Sequence, residues 1–141
     1  MKSTVRKLLC LLAMAGIPFS VLAQNSTLDD FDQPMKSRTC GLILLSEGRA
    51  KIRNNDIERG MVDLVGAFAL LQDGRKLNDK EVAREASQKL LNGSLETKTT
   101  SFAKCKQWLE ERKSKPDFSN TEADRWNWVS QAQLTMQTEK K

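Results

Sequence analysis

The chain has 141 residues, with 23 lysines and arginines against 18 aspartates and glutamates, and no histidine. Without histidine the commonest general base and the commonest metal ligand are missing, so Ser-His and Cys-His nucleophile pairs and histidine-based zinc sites are excluded. The formal charge of +5 overstates how basic the working protein is, because part of the excess lies in a segment expected to be removed.

That segment opens the chain. Lys2, Arg6 and Lys7 form a basic head, and an uncharged run from Leu8 to Ala23 follows, interrupted by Gly16 and Pro18. Val21-Leu22-Ala23 then puts small residues at the −3 and −1 positions of a processing site. This three-part pattern is that of an export signal, and the uncharged run is shorter than the roughly 20 residues a membrane-spanning helix needs. Residues 1–23 are therefore predicted to be a signal peptide cleaved after Ala23, which would deliver the remainder to the periplasm. The signal takes three basic residues and no acidic ones, leaving 20 against 18 with the signs interspersed. A nucleic-acid binder would keep a clustered basic excess, so nucleic acid is set aside as a partner. What remains suits one domain with a modest core, and no membrane span is expected after cleavage.

Residues 24–34 are polar and end at Pro34, a pattern that predicts a flexible arm; residues 35–137 are predicted to form a single helical domain. Met35 to about Arg53 carries Cys40, Ile43 and Leu44, with Leu42 and Leu45 widening the apolar face enough for a central helix. Asn54-Asn55 breaks it. Ile57, Met61, Leu64, Val65, Phe68 and Leu71 then mark one face of a second helix, stopped at Gln72-Asp73-Gly74, where Gly74 suits a left-handed C′ position. A third helix opens at Asn78 with Glu81 three positions on, has Val82, Ala86 and Leu90 on one face, and ends at Asn92-Gly93. Residues Asn92 to Ser101 are polar, with four hydroxyl residues after Glu96. A loop of this kind can enter a partner's cleft, which makes Glu96 and Lys98 candidate partner-binding residues beside the plainer reading of a helix connection.

A fourth helix begins between Leu95 and Ser101, carries Phe102, Cys105 and Leu109, and closes at Lys115-Pro116. Ser119 and Glu122 form a capping box for a final helix to about Gln137, and residues 138–141 are expected to be a frayed tail. No alternating strand pattern of useful length occurs. The predicted fold is all-α, a compact bundle of four to five helices with one disulfide.

Past the signal only Cys40 and Cys105 remain, and two cysteines in an oxidising compartment have one pairing. Their 65-residue separation is far from the Cys-x-x-Cys spacing of a redox pair, so a structural bond between the first and fourth predicted helices is expected. The carboxylate pairs Asp29-Asp30 and Glu110-Glu111 read as solvated surface, since adjacent residues on a helix do not converge. No catalytic residue, cofactor or metal is expected.

On the last helix Trp126 and Trp128 stand two apart, about 200° round the axis, and cannot both face one core. Trp126, Val129 and Met136 are expected to form the inward stripe, leaving Trp128 as an exposed candidate anchor for a partner protein.

The segments Arg38-Thr39-Cys40-Gly41-Leu42-Ile43 and Phe102-Ala103-Lys104-Cys105-Lys106-Gln107-Trp108-Leu109, each placing one cysteine on a helix of a small exported chain, carry a resemblance. In this the chain resembles the periplasmic immunity proteins of type VI secretion amidase effectors. The resemblance implies a non-enzymatic inhibitor that blocks the groove of a peptidoglycan amidase delivered by rival or sister cells; a homodimer is compatible with spare apolar stripes on such a surface. The competing class is a periplasmic stress chaperone or envelope accessory protein of similar size and cysteine usage. Against that class, the chain has no histidine to sense mild acid and no carboxylate cluster beyond residues 29–32.

Overall fold

Four of the helices begin at a side-chain cap that the sequence supplies. The computed structural model describes residues 27–140, in which six α-helices follow one another: α1 Thr27–Asp30, α2 Gln33–Arg53, α3 Ile57–Asp73, α4 Lys80–Leu91, α5 Leu95–Lys113 and α6 Glu122–Lys140. Among the described residues there is no strand, and no helix is long and apolar enough to cross a membrane. The all-α class is therefore as expected, with six helices where four to five were anticipated. The predicted signal peptide, residues 24–26 of the predicted arm and Lys141 lie outside the described residues.

The extra helix comes from that arm. Thr27–Asp30 closes one helical turn, ended by the Phe31 N–H donating to the Leu28 carbonyl at 3.4 Å. It belongs to a unit that ends at Phe31, and everything below concerns the second unit, which begins at Asp32.

The second unit is organised around α2. Its N-cap is Asp32, whose carboxylate accepts the Met35 N–H at 3.1 Å, and Pro34 occupies the first turn, where a missing N–H costs nothing. Cys40, Ile43, Leu44 and Ile52 are buried along it, and α3, α4, α5 and α6 all pack against it. Ile43, Leu44, Ile52, Leu64 and Leu70 are almost wholly buried, each stabilising the fold by about 1.5–3 kcal/mol.

The closest of these packings is α2 on α3. A Cβ built on Gly48 would lie 3.0 Å from the Gly60 carbonyl oxygen, and one on Gly60 would lie 3.0 Å from that of Gly48. Both positions need glycine because backbone meets backbone there. The turn between the two helices uses Asn55 at φ 66°, the left-handed conformation that asparagine tolerates better than most residues.

Several local expectations are corrected. Gly74 is not left-handed (φ −99°). Glycine is required because a Cβ would sit 2.7 Å from the Arg38 nitrogen and 2.8 Å from the Pro34 carbonyl oxygen. The N-cap of α4 is Asp79 rather than Asn78; its buried face is Ala83, Ser87 and Leu90, and Val82 is exposed. The polar segment 92–101 is mostly helix rather than a loop, and α5 starts at Leu95, the earliest position expected for the fourth helix: Ser94 caps it by accepting the Thr97 N–H at 3.1 Å. The start of α6 is capped by Thr121 and Asp124 rather than Ser119 and Glu122. The Thr121 hydroxyl accepts the Asp124 N–H and the Asp124 carboxylate accepts the Thr121 N–H, both at 3.0 Å, the reciprocal pattern of a capping box. The expected frayed tail stays helical to Lys140, because Glu139 accepts from Arg49 at 2.7 Å and Arg53 at 2.8 Å on α2.

Cys40 and Cys105 form the disulfide, with both residues fully buried and their Cα atoms 5.1 Å apart, within the usual range. It joins the two helical segments in which it was expected, now α2 and α5.

Candidate functional site

The tryptophan pair behaves as helix geometry requires, with the roles exchanged. Trp128 is 4% exposed and Trp126 is 65% exposed. The inward stripe of α6 runs through Trp128 and Ala132, spaced by four residues. Ala132 is fully buried against Ile52 and Leu64, with Met136 packing on the same cluster. A small residue at 132 lets α6 sit flush on α2 and α3, which turns Trp128 inward and Trp126 out. The Trp128 indole N–H donates to the Gln72 side-chain oxygen at 2.7 Å, and its ring lies 5.9 Å from that of Phe118. Trp128 therefore cannot be the exposed anchor anticipated from the sequence. Trp128→Ala is expected to cost about 3–5 kcal/mol as a core truncation, seen as a lowered denaturation midpoint.

The end of α6 that carries the tryptophans is firmly held. The Gln72 amide that supports Trp128 also donates to Asp124 at 3.0 Å, and Ser119 donates to the other Asp124 oxygen at 2.5 Å. The Ser119 hydroxyl, then the Thr121 backbone N–H and the Gln72 amide, hold the Asp124 carboxyl well below the usual carboxylate range. A depressed folded pKa stabilises above the ordinary value and loses that contribution as pH falls through the folded one. Melting temperature should therefore be flat above about pH 4 and decline below it, and Asp124→Asn should melt lower at neutral pH with a shallower acid decline. Parallel melting profiles for the two proteins would contradict this role for Asp124.

Beside Trp126 lies a groove of about 540 Å³ between α3, α5 and α6. Leu44, Gly66, Ala69 and Leu109 form its floor; Met61, Val62 and Val65 line it from α3, Trp128 and Val129 from α6. Its charged lining residues are the cations Lys106, Lys113 and Arg125 and the carboxylates Asp63 and Glu110. Trp126 shares a second, shallower notch with Glu122, Arg125 and Val129, so its exposed indole continues the apolar surface of the groove.

Glu96 and Lys98 do not join this surface. They lie in the first turn of α5, about 12–15 Å along the helix from Lys106, the nearest α5 residue that lines the groove, at 1.5 Å per residue.

Two buried polar centres were not anticipated at all. The Asp73 carboxylate accepts from Arg112 at 2.7 and 3.0 Å, from Ser37 at 2.6 Å and from Gln33 at 2.8 Å. Ser37 in turn accepts the Trp108 indole N–H at 3.0 Å. This centre locks the end of α3 to the start of α2 and the end of α5. The second is Asp63, 1% exposed, paired with Lys51 at 2.5 Å and Lys106 at 3.0 Å. Both ammonium groups also lie over the Phe102 ring, at 4.6 and 5.6 Å. The satisfied hydrogen bonds within each centre mark them as fasteners between helices.

The chain matches no family model, no curated protein and no solved structure.

Proposed function

We propose that this chain is a non-enzymatic periplasmic binding protein, an immunity-type inhibitor that occupies the groove of a peptidoglycan amidase effector through a surface centred on Trp126. The observation that carries the binding role is an indole 65% exposed on a helix whose position is held by Trp128, Gln72, Asp124 and Glu139. Tryptophan is enriched among the few residues that dominate binding energy, and a side chain presented on a rigid element loses little freedom on association. The amidase as partner follows from the resemblance around Cys40 and Cys105. The buried disulfide supports an oxidising compartment.

The test is isolation of the exported protein in complex with the product of the neighbouring gene, followed by an assay of that product on peptidoglycan. A partner that cleaves peptidoglycan and is inhibited stoichiometrically by this chain is the expected result. A partner whose cleavage is unaffected by saturating amounts of the chain would overturn the inhibitor role.

A further inference from the structure

We propose that the groove between α3, α5 and α6 is a binding site for a small anionic amphiphile, with an apolar chain of medium length and a single carboxylate or phosphate head. The proposal does not rest on the partner reading. Its first support is size: about 540 Å³ falls within the range of small-molecule sites. From Val62 to Ala69 the α3 wall is about 10 Å long at 1.5 Å per residue, a length that suits an acyl chain of medium length laid along it.

Charge sets the orientation. Lys113 is the last residue of α5 and Arg125 lies at the start of α6, so both stand at the end of the groove where α5 closes and α6 opens. The Arg125 guanidinium donates to the backbone and side-chain oxygens of Asn120, at 2.7 and 3.2 Å, neither of them charged. Lys113 pairs loosely, at 3.4 Å, with Glu110, an exposed carboxylate that also lines the groove, which leaves Arg125 as the cation at that end with no carboxylate on it. Further along, Lys106 is engaged with the buried Asp63 carboxylate, so that end attracts an anion less. The head therefore sits between Lys113 and Arg125, with the chain over Gly66 toward Met61 and Val62. Glycine at 66 lets Leu109 close against α3, since a Cβ there would meet the Leu109 side chain at 2.8 Å, so the floor beneath the chain is packed and apolar.

Trp128 lines the groove, so its fluorescence reports occupancy. The probes are decanoate, decyl maltoside and decyltrimethylammonium, each below its micelle concentration, titrated by intrinsic fluorescence and by calorimetry. Saturable one-to-one binding of decanoate is expected, with the uncharged probe weaker by about tenfold and the cation weaker still. Val62→Glu and Lys113→Glu alter exposed positions. Each should weaken decanoate by about tenfold or more through repulsion, with far-ultraviolet dichroism unchanged; melting temperature should hold in Val62→Glu and fall slightly in Lys113→Glu, which puts an acid at the end of α5. Equal affinity for all three probes, no saturable decanoate binding, or unchanged binding in both variants would overturn the proposal.

Discussion

Arg112→Ala is expected to destabilise the protein by about 3–5 kcal/mol, because it leaves a buried carboxylate without its counter-charge. The guanidinium donates twice to Asp73, both side chains are more than nine-tenths buried, and its far side reaches Asp117 at 3.2 Å. Gln33 and Ser37 would remain on Asp73, but neither carries charge. Lysine at 112 should recover only part of the loss, since an ammonium cannot reproduce the two-pronged geometry of the guanidinium. The double change Asp73→Ala, Arg112→Ala should cost clearly less than the sum of the singles, as contacting residues do. Urea denaturation of the unaltered protein and the four variants measures all of this; a loss under about 1 kcal/mol for Arg112→Ala, the range of an exposed pair, would remove the ion pair from its place as a fastener of α3 to α5.

Loss of the disulfide is the second large effect. Closing a loop across 65 residues stabilises the folded state by about 4 kcal/mol on the chain-entropy model. Cys40→Ser and Cys105→Ser should each remove that contribution, and the double variant should be no worse than either single, because either substitution breaks the whole bond. Additive losses in the same denaturation measurement would mean that the two positions act separately.

The two large effects differ in how far the sequence announced them. Elimination alone identifies Cys40 and Cys105 as partners once Cys10 is assigned to the signal. The pairing of Asp73 with Arg112 has no such signature, since the residues are 39 apart on different helices and each reads as ordinary surface charge. One clue was available: an aspartate in the last turn of α3 opposes the helix dipole and so calls for a compensating cation. A similar division holds along the chain. The α3 stripe from Ile57 to Leu71 was legible because apolar residues recur at helical steps, but only Leu64 of it is buried; Ile57, Met61, Val65 and Phe68 pack half-buried beside it, and the deepest positions add Ala67 and Leu70. The beginning of α5 was obscured because a run of threonines has low helix propensity, yet Ser94 as a cap and packing of Cys105 and Leu109 override it.

The candidate site shows the same limit more sharply. Spacing by two residues required that one of Trp126 and Trp128 face away from the core, but both possible stripes include Val129 and Met136, so apolar periodicity does not separate them. Ala132 does. A small side chain four residues after Trp128 marks where α6 lies closest to its neighbours, and Gln72 supplies the hydrogen bond that a buried indole needs. The groove itself could not be read from the sequence, because its floor and walls come from four helices brought together only by folding.

The central claim is that Trp126 anchors a protein partner, and a binding titration of Trp126→Ala against the neighbouring gene's product tests it most directly. The exposed position predicts an unchanged melting temperature together with affinity weakened by about 2 kcal/mol or more. Affinity equal to that of the unaltered protein would contradict the claim.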